Sequence, residues 1–483
     1  LGAGGVLVSS GCTGSLFGVT IDKNVALKGN GGGINCVGAK SMHVRDSYIR
    51  HNEAREGYGG GISSTGTLLL KVETTGKGGC CAAGHSCSAE QSPCIPTLIK
   101  NNSAPFSSGG GIYASATNVV VTGLPQQAMS DSDQIAAATN PNSASKRPKR
   151  LAINQHVAIV ANEAQVGAGI FLTGSTDASI WRTYVNKNVA KYDGGGIAAE
   201  KCTLGVETSI ISGNTATSRG GGVYLGRLTT AAMNDTNVIS NWVEGNGGGV
   251  FVGLRSSFKL KKSYVSKNKG QGDGAGLYVV DTSIAVDDTV FYKNGLETGQ
   301  GAGMCGSGAA SIICRHCTFE GNAVMKGGRG GAVALSGTSG MLLLSNRITR
   351  NRADIGGGIF LKDASMLVAA TESKEYNRYW KSQCTKETGA LGGAALEVNT
   401  LRACDQPTIF QSNLAGLNLN EYQKGSGEDG SASSSGEGGA AVDPEASMYG
   451  RGGAIFASQD ASVALLDVKM IENYAVTSGG GVY

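Results

Sequence analysis

Short stretches of alternating apolar and polar residues run through this chain, such as GVFVG at 249–253 and SSFKL at 256–260. Alternation with a period of two residues is typical of β-strands, and no stretch shows the sustained 3.6-residue periodicity of a helix. Runs of glycine recur between these stretches, and each run is followed by an apolar residue, as in GNGGGVFV. The chain is therefore predicted to be all-β and built from repeats.

The apolar residue that closes each glycine run marks the period of the repeat. Nine of the fourteen intervals between these anchors are 26 to 28 residues long, and the larger ones are interpreted as one period plus an insertion. The anchors are Val6, Ile34, Ile62, Ile112, Ile170, Ile197, Val223, Val250, Leu277, Met304, Val333, Ile359, Ala395, Ile455 and Val482. Four insertions are predicted: 73–96, which is rich in cysteine, 124–151, which is polar and basic, 373–391, and 421–451, which is rich in glycine and serine.

Three short strands and three turns in about 27 residues describe one coil of a parallel β-helix, with coils stacked about 4.8 Å apart. We expect one β-helix over residues 1–483, roughly 70 Å long for fourteen such intervals. Both ends carry the glycine motif, LGAGGVLV and SGGGVY, so we expect the chain to be an excerpt truncated at both ends.

The glycine runs are predicted to form one corner of every coil, because a positive φ is cheap only for glycine and a Cβ would collide with neighbouring coils. Alanine replaces the second or third glycine in GAGI, GAGL, GAGM and GGAV, so an ordinary φ is expected there. The predicted corner glycines are Gly194, Gly220, Gly247, Gly274, Gly301 and Gly356.

An asparagine recurs with the same period as the glycine runs. It lies three residues after an apolar residue, as in Val185 and Asn188. A side-chain amide at the same place in every coil can hydrogen-bond to the next coil. We therefore predict an internal ladder, although each asparagine could instead only favour a turn conformation. The predicted ladder includes Asn188, Asn214, Asn241, Asn268, Asn294, Asn322 and Asn351.

The two motifs occur together as GGAV with FEGN, GGAI with MIEN and GAGM with FYKN. In these motifs the chain resembles, over nearly its whole length, the repeats of the chlamydial polymorphic outer-membrane proteins, a group of autotransported adhesins. The resemblance implies a right-handed β-helix of the pectin-lyase-like fold. The GGG runs, cysteines, glycosylation sequons and a dibasic loop depart from that family and favour a eukaryotic cell-surface or fibre version.

Composition and charge limit the partners and the location that such a protein can have. Glycine accounts for 77 of the 483 residues, only 16% are charged, and the net charge is +4. This weak charge does not indicate a nucleic-acid partner, and no apolar run is long enough to span a membrane. The densest basic patch is either a solvated outer face or a surface for an acidic polysaccharide: Lys259, Lys261, Lys262, Lys267 and Lys269.

Twelve cysteines suggest disulfides and an oxidising compartment. We expect four cysteines to staple the first insertion, and two further pairs are candidates: Cys80, Cys81, Cys87 and Cys94; Cys384 with Cys404; Cys12 with Cys36. Cys202, Cys305, Cys314 and Cys317 are left over. Cys202 could be buried as a small hydrophobe or could link protomers. The CRHC segment with His316 lacks a second ligand pair, so no metal is predicted.

Two glycosylation sequons begin at Asn101 and Asn234. The segment RPKRL matches the pattern cut by furin-like convertases, with Arg147, Lys149 and Arg150 as the processing residues, and an uncut basic loop is the alternative.

Catalytic motifs of β-helical enzymes are weak in this sequence. A DD pair occurs at Asp287 and Asp288, a GHS segment contains His85, and Asp131 and Asp133 fall in an insertion. Glycoside hydrolysis requires a pair of carboxylates held at a fixed separation, and no cluster exceeds the background. We therefore expect no catalytic residue and no cofactor.

The sequence as a whole predicts an extracellular structural or interaction protein, which is a rod-like building block of a surface filament, appendage or coat with an adhesive role. We expect self-association into a fibre, with other surface proteins or glycans as further partners. The alternative is a β-helical polysaccharide lyase or glycoside hydrolase.

Overall fold

The computed structural model describes residues 2–75, 96–123, 156–371, 407–415, 451–477 and 479–482. Short β-strands and turns make up these ranges, and no helix occurs in them. The predicted all-β class is therefore confirmed. The four predicted insertions fall almost wholly outside the described ranges.

The strands lie in four parallel sheets, A to D, which each coil visits in that order. Within each of the two compact units described below, a strand pairs with the strand at the same position in the next coil. Ile197 pairs with Val223 and Met304 pairs with Val333, and the other insertion-free turns lie between these two in length, so one turn takes 26 to 29 residues. This register confirms the predicted parallel β-helix.

Sheets A and B follow the glycine run. The strands of sheet A are Val6–Val8, Ile34–Val37, Ile62–Thr65, Ile112–Ser115, Ile170–Thr173, Ile197–Ala199, Val223–Leu225, Val250–Val252, Leu277–Val280, Met304–Ser307, Val333–Leu335, Ile359–Leu361 and Ile455–Ala457. The strands of sheet B are Thr13–Phe17, Ser41–Arg45, Leu70–Glu73, Asn118–Thr122, Asp177–Trp181, Thr203–Glu207, Thr230–Asn234, Ser257–Lys261, Ser283–Asp287, Ser311–Arg315, Gly340–Leu344, Met366–Ala370 and Ser462–Leu466.

Sheets C and D flank the recurring asparagine. The strands of sheet C are Thr20–Asp22, Tyr48–Arg50, Leu98–Lys100, Val157–Val160, Thr183–Asn186, Ile210–Ser212, Asn237–Ile239, Tyr264–Ser266, Val290–Tyr292, Thr318–Glu320, Arg347–Thr349, Ile409–Gln411 and Lys469–Ile471. The strands of sheet D are Val25–Ala26, Glu53–Ala54, Ser103–Ser108, Glu163–Val166, Val189–Ala190, Thr215–Ala216, Trp242–Val243, Lys269–Gly270, Gly295–Leu296, Ala323–Val324, Arg352–Ala353, Leu414–Ala415 and Tyr474–Ala475.

Sheet D corrects the expectation of three strands per coil. Most of its strands contain only two residues, such as Val189–Ala190, which pairs with Thr215–Ala216. Two extended residues between an asparagine and a glycine run are too few to show alternation, so the sequence pattern did not reveal them.

The chain divides into two compact units. The first comprises Leu1–Glu244, Gly249–Phe251 and Arg255–Ser257, and the second comprises Gly245–Gly248, Val252–Leu254 and Phe258–Tyr483. Both units follow the four-sheet plan.

Thirteen of the fifteen predicted anchors begin the strands of sheet A. Val482 forms an isolated bridge with Ile455. The remaining anchor, Ala395, lies outside the described residues, and Ile359 pairs directly with Ile455. No strand of sheet A therefore stands between these two in the described chain, which corrects the expectation of a coil anchored at Ala395.

The core of each coil is filled by the side chains that alternate inward. In the coil that begins at Ile197 these side chains are at most 2% exposed: Ile197, Ala199, Leu204, Val206, Ile211 and Ala216. Equivalent positions stack on one another, and the rings of Phe291 and Phe319 lie with centroids 4.7 Å apart. The phenylalanine of the FxxN motif is therefore a core residue of sheet C, and burying such a ring stabilises the fold by roughly 1.5–3 kcal/mol.

The DA corner, which joins sheet D to sheet A, contains the predicted corner glycines. Positive φ values between 61° and 74° occur at Gly194, Gly220, Gly247, Gly274, Gly301 and Gly356. At Gly194 an added Cβ would lie 2.6 Å from the Ala198 side chain and 2.7 Å from the Ile197 carbonyl oxygen. A side chain here would combine backbone strain with a steric clash, so this corner requires glycine. Alanines in the second or third place of the run, such as Ala275 and Ala332, do not have positive φ.

The other three corners also use positive φ, but side chains occupy most of them, so positive φ is not confined to glycine in this chain. Positive φ occurs at 28 non-glycine residues of the described ranges, including Lys187 (53°) and Asp288 (49°), both exposed. At some of these corners glycine also has room, since nothing lies within 4 Å of an added Cβ at Gly18 or Gly66. Each side chain therefore costs about 1–2 kcal/mol of backbone strain without a clash.

Replacing glycine by alanine at two corners of the first unit should separate the cost of backbone strain from the cost of a steric clash. We expect Gly194→Ala to destabilise the fold by about 3 kcal/mol or more, because strain and overpacking add. Gly213→Ala, at a corner where the nearest atom to an added Cβ is 3.1 Å away, should cost about 1 kcal/mol. Urea unfolding monitored by circular dichroism measures both, and equal midpoints for the two variants would contradict the assignment of a special DA corner.

Candidate functional site

The most regular polar feature of the molecule is the asparagine at the CD corner, where sheet C turns into sheet D. The backbone N–H and Nδ2 of Asn188 both donate to Oδ1 of Asn214, each at 3.0 Å. Nδ2 also donates to the Ile159 carbonyl at 3.0 Å, and Oδ1 accepts from the backbone N–H and Nδ2 of Asn162 at 3.0 and 2.9 Å. Two donors and two acceptors of one side-chain amide are thus all used.

The same pattern repeats through both units. In the first unit it links Asn24, Asn52, Asn102, Asn162, Asn188, Asn214 and Asn241. In the second unit it links Asn268, Asn294, Asn322, Asn351, Asn413 and Asn473. The seven asparagines predicted from the sequence are at most 1% exposed. Because a buried amide without partners is costly, the arrangement fixes how each coil sits on the next.

A second polar column lies at the BC corner, between sheets B and C, and the sequence analysis missed it. The backbone N–H of Thr183 donates to the Ser209 hydroxyl at 3.1 Å, and that hydroxyl donates to the Glu207 carbonyl at 2.8 Å. Thr236, Ser263 and other residues continue the pattern. The signal was present in the sequence, because each of these residues stands five positions before a ladder asparagine.

A third column of small polar residues lies at the AB corner, between sheets A and B. The backbone N–H of Thr229 donates to the Ser256 hydroxyl at 3.2 Å, and the Thr229 hydroxyl donates to the Ala199 carbonyl at 3.0 Å. Cys202 takes the equivalent place one coil earlier, with its thiol 3.9 Å from the Leu172 carbonyl oxygen. Cys202 is therefore a buried corner residue, and burial raises its pKa to about 12.

The predicted pairing of Cys12 with Cys36 is not present, because both are free thiols. Cys36 is fully buried in sheet A, which raises its pKa to about 12, whereas Cys12 is exposed before sheet B. One thiol lies inside the coil and the other at the surface, which corrects the expectation drawn from their spacing. The other predicted disulfide cysteines lie outside the described residues: Cys80, Cys81, Cys87, Cys94, Cys384 and Cys404.

Both sequon asparagines lie near the surface. Asn101 is exposed at a CD corner (φ 54°), and its Nδ2 lies 3.1 Å from Nε2 of His51. Asn234 is partly exposed at the end of a strand of sheet B, and the buried Thr236 hydroxyl donates to its carbonyl at 2.9 Å. Glycan attachment stays a prediction. Arg147, Lys149 and Arg150 lie outside the described residues.

The outer face of sheet A is covered by a stacked cluster in the first unit. The rings of Tyr224 and Phe251 lie 5.5 Å apart, and the Arg219 guanidinium lies 4.8 and 5.3 Å from their centroids. Asp193 accepts two hydrogen bonds from that guanidinium at 3.0 and 2.8 Å, which raises the pKa of Arg219. The rings are at most 5% exposed, so these outward residues stabilise the coil stack.

The acidic pair that could have indicated catalysis contacts an arginine and a histidine in the second unit. Asp287 Oδ1 lies 3.2 Å from Arg315 Nη1, and Asp288 Oδ1 lies 3.5 Å from His316 Nδ1. The hydrogen bond from His316 lowers the pKa of Asp288, whereas a general acid needs a raised pKa. Within the described ranges, no group of three or more His, Cys, Asp or Glu side chains is placed to hold a metal ion. The arrangement suits ion pairing between neighbouring coils.

Comparison with known proteins agrees with this architecture. Residues 248–421 match the family model described as right handed beta helix region. Together with the four parallel sheets, this match defines the chain as a right-handed β-helix repeat protein. Neither the curated proteins nor the solved structures contain a significant match, so the resemblance to the chlamydial repeats stays a prediction. The described part of the chain has no helix of the length and hydropathy needed to cross a membrane.

Converting a ladder amide to a carboxylate should be far more damaging than the same change two residues away. We expect Asn188→Asp to destabilise the fold by about 3–5 kcal/mol at pH 7.5, because a buried carboxylate cannot donate to Ile159 and Asn214. Burial raises the folded-state pKa of such an acid above its unfolded value, so the penalty should shrink as the pH falls towards 4. Asn186→Asp, at the partly exposed end of the sheet C strand that precedes Asn188, is the control and should cost less than about 0.5 kcal/mol. Urea unfolding at both pH values gives the comparison, and similar losses for the two variants would count against the ladder.

Thiol labelling tests the cysteine assignments. Alkylation of the native protein at pH 7.5 followed by peptide mass mapping should modify Cys12 and leave Cys36 and Cys202 unmodified, because buried thiols with raised pKa values are unreactive. The last two should react once urea is added. Recovery of a Cys12–Cys36 linked peptide without reduction would refute the free-thiol assignment.

Proposed function

We propose that this β-helix repeat protein is an extracellular structural protein, a building block of a surface filament, appendage or coat, with an adhesive role. The proposal rests on which positions of the repeat keep the same residue type from coil to coil. Residues that recur from coil to coil are internal: the ladder asparagines, the corner hydroxyls and the DA glycines. The exposed residues beside them vary freely, and the CD corner has Lys187, Gly213 and Ser240 in three successive coils.

A repeat of this kind is suited to stacking. An open coil edge presents unpaired backbone groups, and another coil satisfies them in the parallel register that each unit already uses. The ladder adds direction, because amide donors of one coil always bond the Oδ1 atom of the following coil. Self-association would therefore proceed head to tail, which generates an open filament rather than a closed dimer.

The second candidate is a β-helical polysaccharide lyase or glycoside hydrolase. Its support is the acidic pair Asp287 and Asp288, whose neighbouring coil also supplies Arg315 and His316. Such an enzyme would use a pair of carboxylates held in one groove.

Imaging and turnover assays separate the two candidates. Negative-stain microscopy of purified protein over a concentration series should show filaments that lengthen with concentration. Incubation with pectin, alginate and hyaluronan should release neither unsaturated uronates nor reducing ends. Isolated short particles at every concentration would overturn the filament proposal. Turnover that is lost in Asp287→Asn or Asp288→Asn would establish the enzyme instead.

A further inference from the structure

Exposed lysines border sheet C of the second unit on both sides. Lys262 occupies the BC corner (φ 47°), whereas Lys267 and Lys293 occupy the CD corner in two successive coils (φ 54° and 50°). Lys269 follows in sheet D and is also exposed. The two CD-corner lysines are adjacent, because the backbone N–H of Lys267 bonds the carbonyl of Tyr292, the residue before Lys293. Four ammonium groups thus surround one short strip of sheet.

Two tyrosines fill the sheet between these lysines. The rings of Tyr264 and Tyr292 are half-buried, with centroids 6.1 Å apart and planes inclined by 32°. The Lys293 ammonium lies 5.0 Å from the Tyr292 centroid, so a cation is held at the edge of the aromatic strip. Each tyrosine leaves part of an apolar ring at the surface and carries a polar hydroxyl, a combination that suits contact with sugar rings.

The positive charge of this strip is only partly offset within the chain, since Asp288 lies near Lys262 and Glu320 lies near Lys293. Both carboxylates also contact other side chains: Asp288 lies 3.5 Å from His316, and Glu320 lies 3.4 Å from Arg350. In the described ranges, none of the four lysines forms an ion pair of its own. Exposed cations held at strained corners, beside aromatic rings, are available to an anionic partner.

We propose that this strip of sheet C, from Lys262 to Lys293, binds an acidic polysaccharide. The tyrosines pack against sugar rings, and the lysines pair with carboxylate or sulfate groups along the polymer. A nucleic acid is a poorer fit because it needs a broad basic face, and the net charge of the chain is only +4. The inference gives the proposed adhesive role a ligand class, and it does not depend on filament formation.

Binding of polygalacturonate and heparin to the full chain tests the proposal, with uncharged dextran and single-stranded DNA as comparison ligands. The double variant Lys267→Gln, Lys293→Gln should weaken binding of the acidic polysaccharides roughly tenfold or more, since two contact charges are lost. The matched control is Lys23→Gln, Lys187→Gln, which removes two CD-corner lysines of the first unit (φ 58° and 53°). The control should bind within about twofold of the unaltered chain. A Tyr292→Ser variant should also bind more weakly. Because this substitution removes no charge, weaker binding would show that the aromatic ring itself contributes.

Affinity for acidic polysaccharides should fall steeply with added salt, and dextran should not bind measurably. Equal losses in the two double variants, or DNA binding as tight as that of the polysaccharides, would overturn the proposal. Absence of binding by both polysaccharides would do the same. Microscopy of the Lys267→Gln, Lys293→Gln variant separates failure of the binding proposal from failure of the filament proposal. The variant should form filaments normally even though it binds polysaccharide weakly.

Discussion

The structure depends on hydrogen bonds that join equivalent corner residues of successive coils. A coil contains only short strands, so backbone pairing alone allows neighbouring coils to slip in register. The ladder asparagines remove this freedom, because a shift of one residue would leave buried amide donors and acceptors without partners. Hydroxyl groups at the BC and AB corners act in the same way. The three polar columns therefore define the period that the apolar core then fills.

The polar corner columns require positive backbone φ at the neighbouring residue. Each ladder asparagine, and most polar residues of the other two columns, follow a residue with left-handed conformation, as Asn188 follows Lys187 and Ser209 follows Thr208. The strain is tolerable at most of these corners because the strained residue lies at least partly at the surface, whereas the DA corner faces neighbouring backbone and accepts only glycine. The exposed corner positions are thus free to vary in charge and size. This freedom allows the lysine-bordered strip of sheet C to arise without disturbing the core.

The fold could be predicted because its signals recur at a fixed period. Glycine runs and asparagines located the DA and CD corners, and thirteen anchors begin strands of sheet A. Sheet D was missed because two residues carry no alternation, and the BC column was missed because serine and threonine are common everywhere. The Cys12–Cys36 pair was wrong because spacing along the chain does not show whether a side chain points inward. Surface chemistry was the least predictable part, since tertiary packing decides which lysines and tyrosines are neighbours.

Hydrogen exchange of asparagine side-chain amides tests the corner columns most directly. In protein labelled with ¹⁵N-asparagine, the Nδ2 protons of ladder residues such as Asn214 and Asn294 should exchange orders of magnitude more slowly than those of partly exposed Asn186 and Asn234. Such slow signals would show amides that are buried and bonded on both sides. Uniformly fast exchange across all asparagines would mean that the coils are not held together in this way.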